Sequence, residues 1–380
     1  MNIKSLILGS ATAALAATGA QAADAIVIAE PEPVEYVRVC DVYGAGFFYI
    51  PGTETCLRIG AEIRYQVGTS GENDIGNANY NSFVPETWNS HSRARIFLDA
   101  RSETEYGLLR GYVRLDLQKT NTEFSGDQLV NHVWLSLGGF RAGWTDSAWV
   151  STPQGGSAAG GSHSDNGFFY GYHQTHLIQY NFSGDNGFFG TISLEDDNTA
   201  GLDYTPDIVG VVGISQGWGA AWLKVGYDAT YNVFDDSGFG VTAGLHYNIP
   251  GAPGSSFRLI GYYADSDNLF NPLTGTGLAT WSNGVDLFGG PEWSVLASYH
   301  HQFTAQFGAS IAAQYFSDFY FAGTDVSSGL DGWALELAAV WQPVKDFVVR
   351  TEVIYSDFDT GIAGVDGDSV GGFVRFSRFF

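Results

Sequence analysis

Residues 91–119 of the chain read HSRARIFLDARSETEYGLLRGYVRLDLQK and show a two-residue repeat on both sides of Gly107. Apolar side chains alternate with charged or polar ones in both segments. Period-two alternation predicts extended strands, and the short link at Gly107 predicts an antiparallel hairpin. Long segments of this kind, apolar on one face and rich in charge on the other, are typical of transmembrane strands around a water-filled lumen.

The same alternation recurs along the rest of the chain. The predicted strands cover residues 57–67, 91–106, 107–119, 129–138, 139–146, 173–182, 188–196, 207–215, 219–228, 238–248, 255–264, 292–301, 304–316, 333–342, 347–356 and 369–380. Their links are alternately short and long, as a barrel with tight turns on one side of a membrane requires. A soluble sandwich has no such requirement. We therefore predict an all-β protein, a transmembrane antiparallel β-barrel of 16 strands.

The composition fits a membrane barrel and excludes a nucleic-acid-binding protein. The chain holds 50 Gly, 27 Phe and 20 Tyr but 1 Met, and its mean hydropathy of −0.03 is what alternating strands produce. A net charge of −24 argues against nucleic-acid binding. The acids are expected in external loops, where they serve general solubility or hold a divalent cation. Apart from that loop-bound cation, no cofactor is predicted.

The first residues predict export. An apolar run at 6–17 followed by Ala20-Gln21-Ala22 has the form of a secretory signal peptide, cut after Ala22. We therefore expect three parts: a signal peptide at 1–22, a periplasmic N-terminal segment at 23–56, and the barrel at 57–380. The predicted location is the bacterial outer membrane, which the barrel crosses many times.

The chain has two cysteines, Cys40 and Cys56. In an exported protein an isolated pair predicts a disulfide, and a closed loop of about fifteen residues stabilises the fold by roughly 3 kcal/mol. The alternative is a pair of free thiols that bind metal, although no histidine lies near them in the sequence. The pair is interpreted as structural.

Two stretches resemble a known family. Residues 36–58 read YVRVCDVYGAGFFYIPGTETCLR and residues 374–380 read VRFSRFF. Both resemble the general outer-membrane porins of alphaproteobacteria, of the Brucella and rhizobial type, and the likeness covers the whole chain. It implies a homotrimer of sixteen-stranded barrels in which the third external loop folds inward to narrow each pore. It also implies contact with outer-membrane lipid and lipopolysaccharide, and passage of small hydrophilic solutes.

Cationic side chains concentrate in the first strands. They are Arg58, Arg64, Arg93, Arg95, Arg101, Arg110, Arg114, Lys119 and Arg141. An arginine that faces lipid costs roughly 2–4 kcal/mol at the bilayer midplane, so the arginines are expected in the lumen. For each arginine the alternative to a role in permeation is a simple ion pair. The candidate partners are Glu62, Asp99, Glu103 and Asp116.

The loop Ser147–Tyr172 follows these strands and is rich in small residues that allow it to pack inside a lumen. It carries Asp165 and has Asp146 at its base. Acids placed opposite Arg64, Arg95 and Arg114 would produce a transverse field at the narrowest point. The predicted pore constriction therefore consists of Arg64, Arg93, Arg95, Arg114, Asp146 and Asp165. The alternative places the loop outside the barrel as a solvated flap.

The predicted function is passive diffusion of small hydrophilic solutes and ions through a general porin. The alternative is a substrate-selective sugar or amino-acid channel, because Tyr112, Trp134 and Trp222 could guide sugars along the lumen. A surface adhesin is a further alternative. No enzyme is predicted, since none of the 8 His lies in a nucleophile motif or at metal-ligand spacing. The arginines favour anions and the acidic loops favour cations, and we expect a mild cation preference.

Overall fold

The computed structural model describes residues 38–70, 88–120, 127–151, 160–165, 167–196, 204–273, 287–359, 361 and 367–380. The predicted signal peptide at 1–22 lies outside the described residues, as do residues 23–37. One compact unit, Val39–Phe380, holds the strands. No helix in the described ranges combines the length and the apolar character needed to cross a membrane.

Sixteen long antiparallel strands form one closed sheet. A two-residue strand β1 (Phe48–Tyr49) precedes them. Their bounds are β2 (Cys56–Ser70), β3 (Trp88–Thr104), β4 (Gly107–Thr120), β5 (Asp127–Leu137), β6 (Phe140–Asp146), β7 (Gln174–Ser183), β8 (Phe188–Glu195), β9 (Asp207–Gln216), β10 (Gly219–Asp228), β11 (Gly238–Asn248), β12 (Ser256–Ala264), β13 (Phe288–Thr304), β14 (Phe307–Phe321), β15 (Gly332–Val344), β16 (Phe347–Phe358) and β17 (Asp368–Phe379). Each strand pairs with the next, and β17 pairs back onto β2. The predicted 16-strand barrel is confirmed.

The hairpin of β3 and β4 has the faces that its sequence predicts. Ile96 and Leu115 are direct cross-strand partners, and they are 40% and 38% exposed on the outer face. Arg95 and Asp116 pair on the opposite face, where Asp116 is 1% exposed. Apolar side chains therefore cover the outside of this wall, and charged ones line the inside.

The links alternate in length as predicted. One end of the barrel has two-residue turns such as 105–106 and 138–139, whereas the other end has longer connections such as 147–173 and 265–287. Gly138 has a φ of 55°, and a Cβ there would lie 2.8 Å from the Tyr106 carbonyl oxygen. Only glycine satisfies both conditions without strain at this turn.

The segment before β2 is fastened at the short-turn end. A 3-10 helix at Asp41–Tyr43 leads to β1, which pairs with the start of β2. Cys40 and Cys56 form a disulfide with a Cα–Cα distance of 6.0 Å, so the predicted pairing is confirmed. Both cysteines pack with the buried Phe47 in a small apolar cluster. The division of the chain at residues 56 and 57 remains a prediction, with β2 beginning at Cys56.

Candidate functional site

The inner face of β2, β3 and β4 carries a row of interleaved charges. Glu62 lies opposite Arg95 in β3, and Arg95 lies opposite Asp116 in β4. Arg95 binds Asp116 through two hydrogen bonds of 2.7 and 2.8 Å. Arg93 lies 3.3 Å from Glu62 and 3.4 Å from Asp116, and Arg64 lies 3.2 Å from Glu62. These three arginines thus share two buried carboxylates of their own wall, as the ion-pair alternative expected.

Arg114 has a different partner. In the register of β4 with β5, Arg114 pairs with His132 and Leu115 pairs with Val130, which leaves Asn131 as an extra residue in a bulge. A bulge changes the side on which a side chain emerges. The Asn131 amide oxygen here accepts a hydrogen bond from Arg114. This guanidinium is therefore held by a neutral group.

Asp165 lies among arginines of three neighbouring strands. It forms an ion pair with Arg375 of β17, and it lies 3.7 Å from Arg350 of β16 and 3.9 Å from Arg64 of β2. Desolvation alone would raise the pKa of Asp165, but Arg350, Arg375 and Arg64 together hold it well below its usual range. Of the three arginines expected opposite Asp165, Arg64 is the one that reaches it; Arg95 is bound to Asp116 instead.

Asp146 belongs to a separate group at the end of β6. It accepts hydrogen bonds from the Tyr172 hydroxyl at 3.0 Å and from the Gln174 amide at 2.9 Å. His132 Nε2 lies 3.9 Å away. The six predicted constriction residues therefore do not form one contiguous set: Arg64, Arg93 and Arg95 share Glu62 and Asp116, Arg64 also reaches Asp165, and Arg114 and Asp146 have other partners. The sequence analysis missed Arg350 and Arg375, although both stand at polar positions of alternating strands.

The described part of the connection between β6 and β7 makes polar contacts with at least nine strands, among them β2 through Arg64 and β8 through Glu195. The Ser162 and Ser164 hydroxyls each donate to the buried Glu336 of β15 at 2.7 Å. His163 bonds to Ser298 of β13 at 2.6 Å and to Ser256 of β12 at 2.9 Å. Further polar contacts are with Lys224 (β10), Arg258 (β12), Gln314 (β14), Glu352 (β16) and Arg375 (β17).

An apolar cluster joins the same connection to the barrel wall. Trp149 and Phe169 are 2% and 6% exposed and lie in one buried cluster with Phe270, Phe316 and Phe358. The ring of Phe169 meets that of Phe316 edge to face at 5.6 Å. The expectation of a polar inner face is therefore wrong for this part of the wall, because its apolar side chains are covered by protein.

A second group of arginines surrounds Asp99 near the short-turn end. Arg101 and Arg110 each approach this carboxylate to 2.7 Å, and Arg58 lies 3.5 Å from it. The guanidinium groups of Arg58 and Arg101 stack on the ring of Phe47 at 5.0 and 4.9 Å. The disulfide-closed segment thus rests on arginines of β2 and β3.

Comparison with known proteins identifies the family. The profile described as a porin subfamily matches residues 24–371. The chain belongs to this porin family. The porin Omp2b of Brucella canis is 32% identical over 406 residues, with both chains covered completely, and the same identity and coverage hold for Omp2b of Brucella abortus.

Solved structures support the fold at lower identity. The outer-membrane channel DcaP of Acinetobacter baumannii superposes with a TM-score of 0.66 at 15% identity, covering 87% of this porin and 99% of that chain. Salmonella typhi OmpF superposes with a TM-score of 0.59 at 10% identity, covering 86% and 98%. At these identities the likeness concerns the barrel alone.

The predicted function of an outer-membrane diffusion porin is confirmed by the family membership and the barrel. The family membership points to a channel rather than an enzyme, one that passes small solutes across the outer membrane. Within the ranges given above, no group of three or more His, Cys, Asp or Glu side chains is arranged to hold a metal ion. A divalent cation bound by the acidic loops remains a prediction.

Proposed function

We propose that solutes cross this porin between the connection 147–172 and the charged inner face of β2, β3 and β4, here called the arginine wall. The connection folds into the barrel as its constriction loop. The contacts of that connection with β10 and β12 to β17 support this placement, because side chains on so many strands of a closed barrel converge only in its interior. The proposed constriction residues are Arg64, Arg93, Arg95, Arg114, Asp146 and Asp165, joined by Arg350 and Arg375.

The channel is proposed to favour cations mildly. Around Glu62 and Asp165, five guanidinium groups face four carboxylates, so this part of the wall is nearly neutral despite its many arginines. The members are Arg64, Arg93, Arg95, Arg350 and Arg375 against Glu62, Asp116, Asp165 and Glu352. The net charge of −24 then dominates the field at the mouths and concentrates cations there.

Three finer properties complete the proposal. The protein is proposed to act as a homotrimer in contact with lipid and lipopolysaccharide, to lose its signal peptide after Ala22, and to have no enzymatic activity. The mass of the purified mature chain tests the cleavage site, because cleavage elsewhere changes it. Cross-linking of the detergent-purified protein tests the trimer, and a monomer under mild detergent contradicts it.

Two experiments test the channel itself. In planar bilayers we expect stepwise, ohmic conductance and, under a salt gradient, a reversal potential of cation-selective sign. In liposome swelling, a general pore sorts neutral solutes by size, whereas a sugar-selective channel saturates with its ligand. Absence of conductance contradicts the proposal and favours an adhesin. Saturation by one sugar favours the selective channel.

A further inference from the structure

The inner wall of β4, β5 and β6 carries a row of hydrogen-bond donors near the short-turn end. The strand register places Arg110 beside Ser136, and Ser136 beside Arg141. Neighbouring strands lie about 4.8 Å apart, so the row spans about 10 Å. The adjacent outward positions Leu109 and Leu135 are 43% and 53% exposed. The three donors are therefore on the lumen side.

Among the described residues, Arg141 forms no ion pair within 4.0 Å, and its Nε is buried without a hydrogen-bond acceptor. Its guanidinium lies 4.2 Å from the ring centre of Trp134. Stacking of this kind stabilises the cation but leaves its N–H groups free. A half-buried cation with unused donors is costly unless an anion completes it.

Arg110 is only partly neutralised. The Asp99 carboxylate that binds it is fully buried and is shared with Arg58 and Arg101. Glu103, which accepts a hydrogen bond from the Tyr43 hydroxyl, is exposed at the rim. Around the row, four guanidinium groups therefore face one buried carboxylate.

Trp134 fixes the orientation of both end groups. Arg110 lies 4.8 Å from the Trp134 ring centre, and Tyr112 stacks on the same indole at 5.2 Å. A guanidinium that lies flat on a ring turns its N–H edges away from that ring. Such an edge is suited to two-point binding of a carboxylate or a phosphate. The indole thus orients two cationic groups with a serine hydroxyl between them.

We propose that Arg110, Ser136 and Arg141 form a binding site for small multivalent oxyanions of the phosphate class, either inorganic phosphate or a phosphomonoester. Arg141 supplies the free two-point donor, Ser136 supplies a hydroxyl, and Arg110 supplies the N–H groups that Asp99 leaves unused. The site rests on the proposed channel, because the anion reaches it through the lumen. The proposal thus puts a local anion-binding site inside a pore whose mouths concentrate cations.

The test uses single channels of the full protein in 0.1 M KCl, where screening is moderate. Inorganic phosphate, glucose 6-phosphate and glucose are each added to one side of the bilayer at increasing concentration. We expect both phosphates to lower the open-channel current saturably and glucose to leave it unchanged. Arg141→Gln should raise the half-blocking phosphate concentration at least tenfold, and Ser136→Ala about threefold. Arg378→Gln, an exposed arginine at the barrel end, is the matched control and should behave as the parent.

The outcomes separate the two proposals. A parent protein that conducts but shows no saturable block, or an equal block in the parent and in Arg141→Gln, overturns the anion site and leaves the channel intact. A parent protein that does not conduct overturns the channel. Calorimetric titration of phosphate into detergent-purified parent, Arg141→Gln and Ser136→Ala gives a readout without conductance. Binding that both variants retain unchanged also overturns the site.

Discussion

Arg95 donates two parallel hydrogen bonds to Asp116, from Nε to Oδ1 at 2.7 Å and from Nη2 to Oδ2 at 2.8 Å. The two residues are direct cross-strand partners. This two-point geometry fixes the plane of the guanidinium as well as its position. Arg114, one row further along the same face, is held by the neutral amide of Asn131 instead. Removal of Arg95 therefore takes a partner from a buried carboxylate, whereas removal of Arg114 takes a partner from a neutral amide.

Neutralising either arginine is expected to shift the reversal potential of the channel toward cations. Arg95→Gln leaves Asp116 with Arg93 as its remaining ion-pair partner, so it should produce a larger shift than Arg114→Gln. Under a tenfold KCl gradient the limit for ideal selectivity is about 59 mV, and both shifts should be a fraction of that. Arg378→Gln is the control and should not shift the potential. Unchanged potentials in both variants would mean that neither residue lies at the constriction.

Acid should release the connection 147–172 from the wall. Burial, with Arg258, His246 and His300 nearby, lowers the pKa of His163 to about 3 from its usual 6.5. Undocked His163 therefore takes up a proton before the docked side chain does. Docking of the connection on the wall is strongest above pH 6.5 and weakens as the pH falls toward 3. Its free energy changes by at most about 1.4 kcal/mol per pH unit. Protonation of Asp165, whose pKa is depressed by its arginines, acts in the same direction at lower pH.

Single-channel recording between pH 7 and pH 4 measures this release. We expect larger and noisier currents as the pH falls through the range below 6.5. His163→Gln keeps hydrogen-bonding capacity toward Ser298 and Ser256 but cannot take up the proton, so its current should depend less on pH over that range. A variant with the full pH dependence of the parent would show that His163 is not the responsible group.

The barrel could be predicted from the sequence because the outer face of its strands is largely apolar. Ile96 and Leu115 alternate with charged residues, and this contrast defines both the strands and their orientation. The disulfide could be predicted just as directly, since Cys40 and Cys56 are the two cysteines of the chain. Both predictions need only the local sequence pattern and the different properties of lipid and water.

The packing inside the barrel could not be predicted in this way. In β9, Ile208 and Val212 are exposed outward while Val209 and Val211 are buried inward, so apolar residues occupy both faces and alternation is lost. Which segment covers the inward ones depends on contacts distant in sequence. Two partners of Asp165, Arg350 and Arg375, were missed for the same reason, because Arg375, for example, lies 210 residues away along the chain.

Reduction of the disulfide should destabilise the protein by roughly 3 kcal/mol, since the bond closes a loop of about fifteen residues. The closed segment also buries Phe47, whose ring contacts the guanidinium groups of Arg58 and Arg101. We expect a lower unfolding temperature in reductant for the parent. The Cys40→Ser/Cys56→Ser double variant should match the reduced parent and should not respond to reductant. Equal unfolding temperatures of the parent with and without reductant would contradict this role.

Truncation of Phe169 should loosen the constriction loop while leaving the barrel closed. The Phe169 ring is 6% exposed and packs against Phe316, and its backbone is held on both sides by the Gln314 amide. Phe→Ala at a buried site costs about 3–5 kcal/mol, and here that loss falls on docking of the loop. We therefore expect Phe169→Ala to raise single-channel conductance and to admit larger neutral solutes in liposome swelling.

The matched control for that experiment is Phe182→Ala, which removes the same ring from the outer face, where it is 42% exposed. Its conductance and size limit should equal those of the parent, because the outer face borders lipid and not the pore. If Phe169→Ala instead lowered the unfolding temperature without changing either permeability measurement, its ring would stabilise the barrel wall alone. The connection 147–172 would then not set the pore width, since one of its buried apolar contacts with the wall could be removed without effect on permeation.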